Sequence, residues 1–253
     1  MTARRTVTIL WIAALAALAI LTILLQLDYM ARRSPALAPA VPQFLRSQAQ
    51  VQITKSALQA NDTARALAEA RLLVQRRPLP AENLSLLAIA QAKADQAPAA
   101  ARTIQLAGQR GWREPLAQEA VLRLALEVGN QPEAARRYAA LFLRESTPEP
   151  LLEELGRSVL GGSGKVGRDT LTEIVVGGER WHTIFLRRGP KVMPPAAFAA
   201  IAAESLRRGS AFDCGALAQS IKLLTQRDAG ADAGAALASA AAARCPKLNR
   251  AAS

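Results

Sequence analysis

The sequence is poor in the residues that usually carry chemistry. It has one histidine, two cysteines and 4% aromatic residues in 253. Metal sites need several His, Cys, Asp or Glu ligands at characteristic spacings, and His182, Cys214 and Cys245 do not supply them. Strand-favouring β-branched and aromatic residues are scarce, whereas helix-favouring alanine, leucine, arginine and glutamine abound. The composition predicts an all-α protein without a metal or other cofactor.

No catalytic set is recognisable in the sequence. His182 lies between Trp181 and Thr183 in an apolar run, and nothing marks a nucleophile that would act with it. A packed, hydrogen-bonded histidine is the expected outcome. We therefore predict that the chain is not an enzyme, and we retain an envelope enzyme working around Trp181 and His182 as an alternative.

Charge is absent from residues 6–27, which are apolar almost throughout. At about 1.5 Å per residue, a helix of this length spans roughly 33 Å, enough for a hydrocarbon layer of about 30 Å. Cleaved secretory signals have a shorter apolar core followed by a small-residue cleavage site, and here charged residues such as Asp28, Arg32 and Arg33 follow instead. The sequence predicts an uncleaved transmembrane anchor with residues 1–5 in the cytoplasm.

The two cysteines bear on orientation, because basic residues flank both ends of the anchor and the positive-inside rule is nearly balanced. Helices predicted at 214–227 and 231–245, joined by a turn at 228–230, would bring Cys214 beside Cys245 if they pack antiparallel. Disulfides persist outside the cytosol. We predict a periplasmic domain of a single-pass protein of the bacterial inner membrane; two buried free thiols are the alternative.

Residues 28–43 contain several prolines and few polar side chains. This composition predicts a semi-rigid, extended spacer that holds the following domain away from the bilayer.

Beyond this segment the sequence repeats with a period of 34 residues. Turn-forming residues recur at Asn61, Asp95 and Gly129, each followed by a predicted helix start. Small and apolar residues recur at three offsets within the helix that follows each turn. At the first offset they are Ala66, Ala100 and Ala134, at the second Ala70, Ile104 and Tyr138, and at the third Leu73, Ala107 and Leu141. Spacings of four and three residues place them on one helix face.

The stretch 44–145 resembles the tetratricopeptide repeat family, whose units are 34-residue helical hairpins. The pattern departs from the family because the first helices lack the usual Trp, Gly and Tyr; a generic α-hairpin array is the alternative. A helix at 149–160 would close the array, which we place at residues 44–160. The resemblance implies a groove for a peptide or helix, and first-helix positions pointing away from the packing face are candidates to line it: Asn83, Gln91, Gln118 and Arg123.

Four glycines between 161 and 167 predict a flexible joint ahead of a C-terminal helical module, residues 168–253. This loop lacks the first glycine and the final Ser or Thr of a phosphate-binding P-loop. Residues 168–190 fit either two short helices, which we favour, or a β-hairpin. Three more helices are predicted at 195–208, 214–227 and 231–244.

The formal net charge of +12 is concentrated partly in residues 156–208. A candidate basic surface comprises Arg180, Arg187, Arg188 and Lys191. Such a surface favours anionic partners, although a membrane-anchored chain with few aromatics argues against nucleic acid. The sequence predicts a scaffold or adaptor for another envelope protein or peptide. A module that binds anionic polysaccharide or lipid through the basic surface is the alternative.

Overall fold

A computed structural model of the chain describes residues 2–162, 165–227 and 230–246, and within these ranges it contains helices and no strand. The chain forms two compact units, residues 1–111 and 112–253. This division falls inside the predicted array 44–160, not at the predicted joint 161–167. Helices and no β-hairpin are found in residues 168–190, in agreement with the favoured prediction.

The first unit contains five α-helices and two short 3-10 helices among the described residues. The α-helices are α1 (Thr2–Ala31), α2 (Gln48–Gln59), α3 (Thr63–Arg76), α4 (Ala81–Lys93) and α5 (Ala97–Arg110). The 3-10 helices span Pro35–Ala40 and Gln43–Leu45. Residues Thr6–Ala31 of α1 are long and apolar enough to cross a membrane, and the large apolar side chains from Val7 to Ile23 are exposed.

The prediction that residues 28–43 form an extended spacer is wrong. Residues 28–31 complete α1, and both 3-10 helices fold back against its end. Ala38 and Val41 are fully buried, in a cluster with Ala31, Ala49 and Ile53. The physical reason is that this proline-rich segment carries small apolar side chains. Folding back against α1 removes their surface from water, which lowers the free energy, whereas an extended chain would leave it exposed.

The second unit contains eight α-helices among the described residues. They are α6 (Pro115–Glu127), α7 (Gln131–Phe142), α8 (Glu149–Leu160), α9 (Val166–Val176), α10 (His182–Val192), α11 (Pro195–Arg207), α12 (Cys214–Thr225) and α13 (Ala231–Ala241). One hydrophobic cluster extends through these helices, from Leu122 to Cys245. The chain's scarce aromatics are concentrated in this core, where the Phe185 ring stacks on Phe198 at 4.8 Å and lies 6.1 Å from Phe212.

The 34-residue period is present in the backbone geometry of each unit. Asn61, Asp95 and Gly129 have positive φ angles of 55°, 56° and 73°, the left-handed conformation that ends a helix. All nine positions of the predicted apolar face are buried. The predicted hairpins α2–α3, α4–α5 and α6–α7 are thus equivalent in their turns and in their buried faces.

An arginine that recurs with the same period closes each of these three hairpins, and it was not predicted from the sequence. Arg76 donates from Nη1 to the Gln43 carbonyl at 2.5 Å, Arg110 to Pro78 at 3.0 Å and Arg144 to Arg113 at 2.6 Å. Each bond joins the end of a second helix to the carbonyl preceding its own first helix. The three arginines are 34 residues apart, which is the period of the repeat. They could not be singled out in the sequence, because the chain has many arginines and the acceptors of these three are backbone carbonyls.

Replacing Arg110 with alanine is expected to destabilise the α4–α5 hairpin by about 1 kcal/mol, the typical net value of one hydrogen bond. Faster hydrogen exchange of the last α5 amides, read by mass spectrometry, would report it. Arg102→Ala, an exposed arginine on the same helix, is the matched control. Equal exchange in the two variants would contradict a closing role for Arg110.

Candidate functional site

A charged cleft of the second unit lies where α10 meets the α7–α8 turn. We call it the α10 cleft; its volume is about 550 Å³. It is lined by Glu145, Ser146, Thr147, Pro148, Glu149, Ile184, Arg187, Arg188 and Lys191. It therefore contains two members of the candidate basic surface that are exposed, Arg187 and Lys191, and one that is buried, Arg188.

Arg188 forms the floor of the α10 cleft and is only 8% exposed. Its Nη1 donates to the carbonyls of Phe142 at 2.7 Å and Arg144 at 2.8 Å, and its Nη2 donates to the carbonyl of Thr147. These carbonyls lie at the end of α7 and in the turn before α8, where helical hydrogen bonds run out. The Arg144 carbonyl also accepts from the Thr147 amide at 3.0 Å. Arg188 therefore fixes the turn that forms one wall of the cleft.

Burial lowers the pKa of the Arg188 guanidinium from its usual value, and the nearby Glu149 carboxylate opposes this change. An arginine pKa starts so high that the side chain stays protonated at neutral pH. The prediction that Arg188 belongs to an exposed basic surface is wrong, since an amphipathic pattern marks it as polar but does not reveal backbone acceptors.

The rim of the α10 cleft carries both signs of charge. Arg187 and Lys191 are four residues apart and share a face of α10 with Ile184. Arg187 pairs with Glu145 at 3.0 Å, and both side chains are well exposed, so this pair is worth little to stability. Glu149 lies at the first turn of α8. The cleft thus offers cations, carboxylates and a small apolar surface.

Arg180 lies elsewhere in the second unit. It lines a different cleft with Glu173, Glu179 and Trp181. The four predicted basic residues therefore do not form one continuous surface: one is buried, two line the α10 cleft and one faces a second cleft.

The candidate groove residues also occupy different environments. Asn83 is buried and its Nδ2 donates to the Arg77 carbonyl at 2.9 Å. Gln118 is buried and accepts from Arg137 Nη1 at 3.1 Å. These two cannot line an open groove, so the prediction is wrong for them. Both were expected to point away from the packing face because they are polar, whereas each is held inside by a hydrogen-bond partner.

The other two candidates are more accessible. Gln91 is partly exposed, and its Oε1 is buried with no hydrogen-bond partner among the described residues. Arg123 is 45% exposed and pairs with Glu119 at 2.9 Å and Glu154 at 3.0 Å. Hydrogen bonds to Glu119 and then Glu154 raise the pKa of Arg123. Gln91 belongs to α4 in the first unit and Arg123 to α6 in the second.

His182 is a packed histidine, as the sequence predicted. It is 6% exposed, its Nε2 lies 3.0 Å from the Val175 carbonyl, and its ring lies edge-on to Phe212 at 4.7 Å. Within the described ranges no group of three or more His, Cys, Asp or Glu side chains could hold a metal ion.

The predicted proximity of the two cysteines is confirmed. Helices α12 and α13 pack together, the Cα atoms of Cys214 and Cys245 lie 5.7 Å apart, and their sulfurs are at disulfide-bonding distance. Of the predicted turn between the helices, residues 228 and 229 lie outside the described residues, as do residues 163 and 164 of the predicted glycine-rich joint.

In comparisons with known proteins, no protein-family model, curated protein or solved structure matches this chain.

Proposed function

We propose that the chain is a membrane-anchored adaptor that binds a charged segment of another envelope protein in the α10 cleft. The observation that carries this proposal is the mixed charge of the rim, where Arg187 and Lys191 face Glu145 and Glu149 beside Ile184. A surface with both signs of charge favours a partner whose charges have the complementary arrangement, and this is how charged groups give protein interfaces their specificity.

The surrounding architecture supports an adaptor. The helical hairpins repeat every 34 residues in their turns and closing arginines, which suits a tetratricopeptide-like array that presents binding surfaces. Residues 6–31 suit a single membrane crossing. The cysteine pair favours an oxidising compartment, so we place the helical domain in the periplasm and α1 in the inner membrane.

The alternative, binding of anionic polysaccharide or lipid by a basic surface, has less support. It needs an extended array of free cations, whereas Arg188 is buried against carbonyls and Arg187 is paired with Glu145. Such binding would also be steeply weakened by salt.

The adaptor proposal is tested by photocrosslinking in living cells that produce the full chain. p-Benzoylphenylalanine at Ile184, in the cleft, is expected to give a discrete adduct with one protein; the same label at Val128, exposed in the same unit, should not. Arg187→Glu with Lys191→Glu should reduce the adduct about fivefold, because replacing two attractive charges with repulsive ones costs about 1 kcal/mol of binding free energy in total.

A matched control keeps the same change in net charge. Arg136→Glu with Lys222→Glu alters two exposed cations outside the cleft and should leave the adduct unchanged. No protein adduct at Ile184, together with salt-sensitive retention of the chain on an anionic polysaccharide resin, would overturn the adaptor in favour of the alternative.

A further inference from the structure

The end of α1 is fixed to the helical domain by a buried carboxylate. Asp28 is 6% exposed, and its Oδ1 accepts from the backbone amides of Ser47 at 2.8 Å and Ala49 at 2.9 Å. Its Oδ2 accepts from Gln48 at 3.1 Å. Asp28 thus satisfies the free amides at the start of α2 from a different helix, with the negative charge at the positive end of the α2 dipole.

Apolar packing at the same place makes this connection rigid. Ala31, Ala38, Val41, Ala49 and Ile53 form a buried cluster. Leu27, the last residue of the uncharged run, and Leu45 pack against it. The domain therefore begins in direct contact with the end of the apolar helix, with no spacer between them.

The height of this cluster above the hydrocarbon follows from helix geometry. From Leu27 to Ala31, α1 rises about 6 Å, and the headgroup region on each side of a bilayer is about 5–8 Å thick. The α1 end of the cluster, and the 3-10 helix Gln43–Leu45 that contacts α1, therefore lie at the headgroup region when residues 6–27 occupy the hydrocarbon.

Phe44 lies on that 3-10 helix and is 79% exposed, between Gln43 and the packed Leu45. An exposed aromatic ring at this height can be buried among headgroups and upper acyl chains. Arg32 and Arg33, at the end of α1, are also exposed. Guanidinium groups at this position attract anionic headgroups.

We propose that Phe44, Arg32 and Arg33 form a membrane-contact face that rests on the bilayer crossed by α1, with Phe44 inserted at the headgroup boundary and both arginines on anionic phospholipid. Asp28 sets this contact by fixing α2 to α1. The proposal rests on the proposed function only in that α1 crosses the membrane.

Photocrosslinking of the full chain to lipid tests the face. p-Benzoylphenylalanine replaces Phe44, Trp11 or Leu106 singly, in nanodiscs of phosphatidylcholine and phosphatidylglycerol, and lipid adducts are measured by mass spectrometry. We expect adducts at Phe44, enriched in phosphatidylglycerol, and at Trp11 within α1. Leu106, exposed on α5, should give none.

The outcomes separate this proposal from the membrane crossing itself. Adducts at Trp11 but not at Phe44 would overturn the membrane-contact face while leaving the anchor in place. Failure at Trp11 would overturn the crossing and, with it, this face.

A pair of variants tests the role of Asp28. Asp28→Ala should reduce the lipid adduct at position 44 several-fold, because the start of α2 then loses the three hydrogen bonds that hold it to α1. Asp62→Ala removes a comparable cap, since Asp62 accepts from Arg65 at the start of α3, and should leave the adduct unchanged. Equal yields in both variants would overturn the assigned role of Asp28.

Discussion

Replacing Arg188 with alanine is expected to lower the free energy of unfolding by about 3 kcal/mol, because it leaves three carbonyl groups without their charged donor. The carbonyls belong to Phe142, Arg144 and Thr147, and the guanidinium that serves them is itself buried. Urea unfolding of the full chain in detergent micelles, followed by circular dichroism, measures the change.

Arg187 provides the matched control. It is the neighbouring residue on α10, but its side chain is 65% exposed and pairs with an exposed Glu145. Arg187→Ala should therefore change stability by less than about 1 kcal/mol. Arg188→Lys should fall between the two, since an ammonium group cannot reproduce the planar fork that reaches several carbonyls. Equal unfolding midpoints for Arg188→Ala and Arg187→Ala would refute the structural role of Arg188.

Reduction of the Cys214–Cys245 pair is expected to cost about 3–4 kcal/mol of stability. The two residues are 31 apart in sequence, and the cross-link removes the entropy that a loop of this length has in the unfolded chain. Since α12 and α13 belong to the large cluster of the second unit, their loosening should weaken that whole unit.

Thermal unfolding with and without dithiothreitol, monitored by circular dichroism, measures this effect. Cys214→Ser with Cys245→Ser should reproduce the reduced protein and should no longer respond to the reductant. An unfolding temperature of the unmodified chain that is insensitive to dithiothreitol would show that the two cysteines are not cross-linked, and the main argument for a periplasmic domain would fail.

Several features were predictable because they depend on the order of residues along one helix or one turn. The recurrence of Asn61, Asp95 and Gly129 marks three equivalent turns, and the apolar spacings that follow them mark the buried faces. Cys214 and Cys245 could be paired because two consecutive helices with a short turn have few ways to pack.

Other features were missed because they depend on partners that are distant in sequence. Asn83, Gln118 and Arg188 are polar and were expected at the surface, yet each is buried against a backbone or side-chain partner. Asp28 was interpreted only as a charge that follows the apolar run, although it accepts hydrogen bonds from backbone amides about twenty residues later in the chain.

The sequence alone determined the long apolar first helix, the helical composition and the 34-residue period, since local propensity and side-chain spacing govern all three. The tertiary structure decided which polar groups are buried, how α1 is fixed to α2 and where the α10 cleft forms. A buried polar group is tolerated only where a partner meets it, and such partners come together only when distant segments pack.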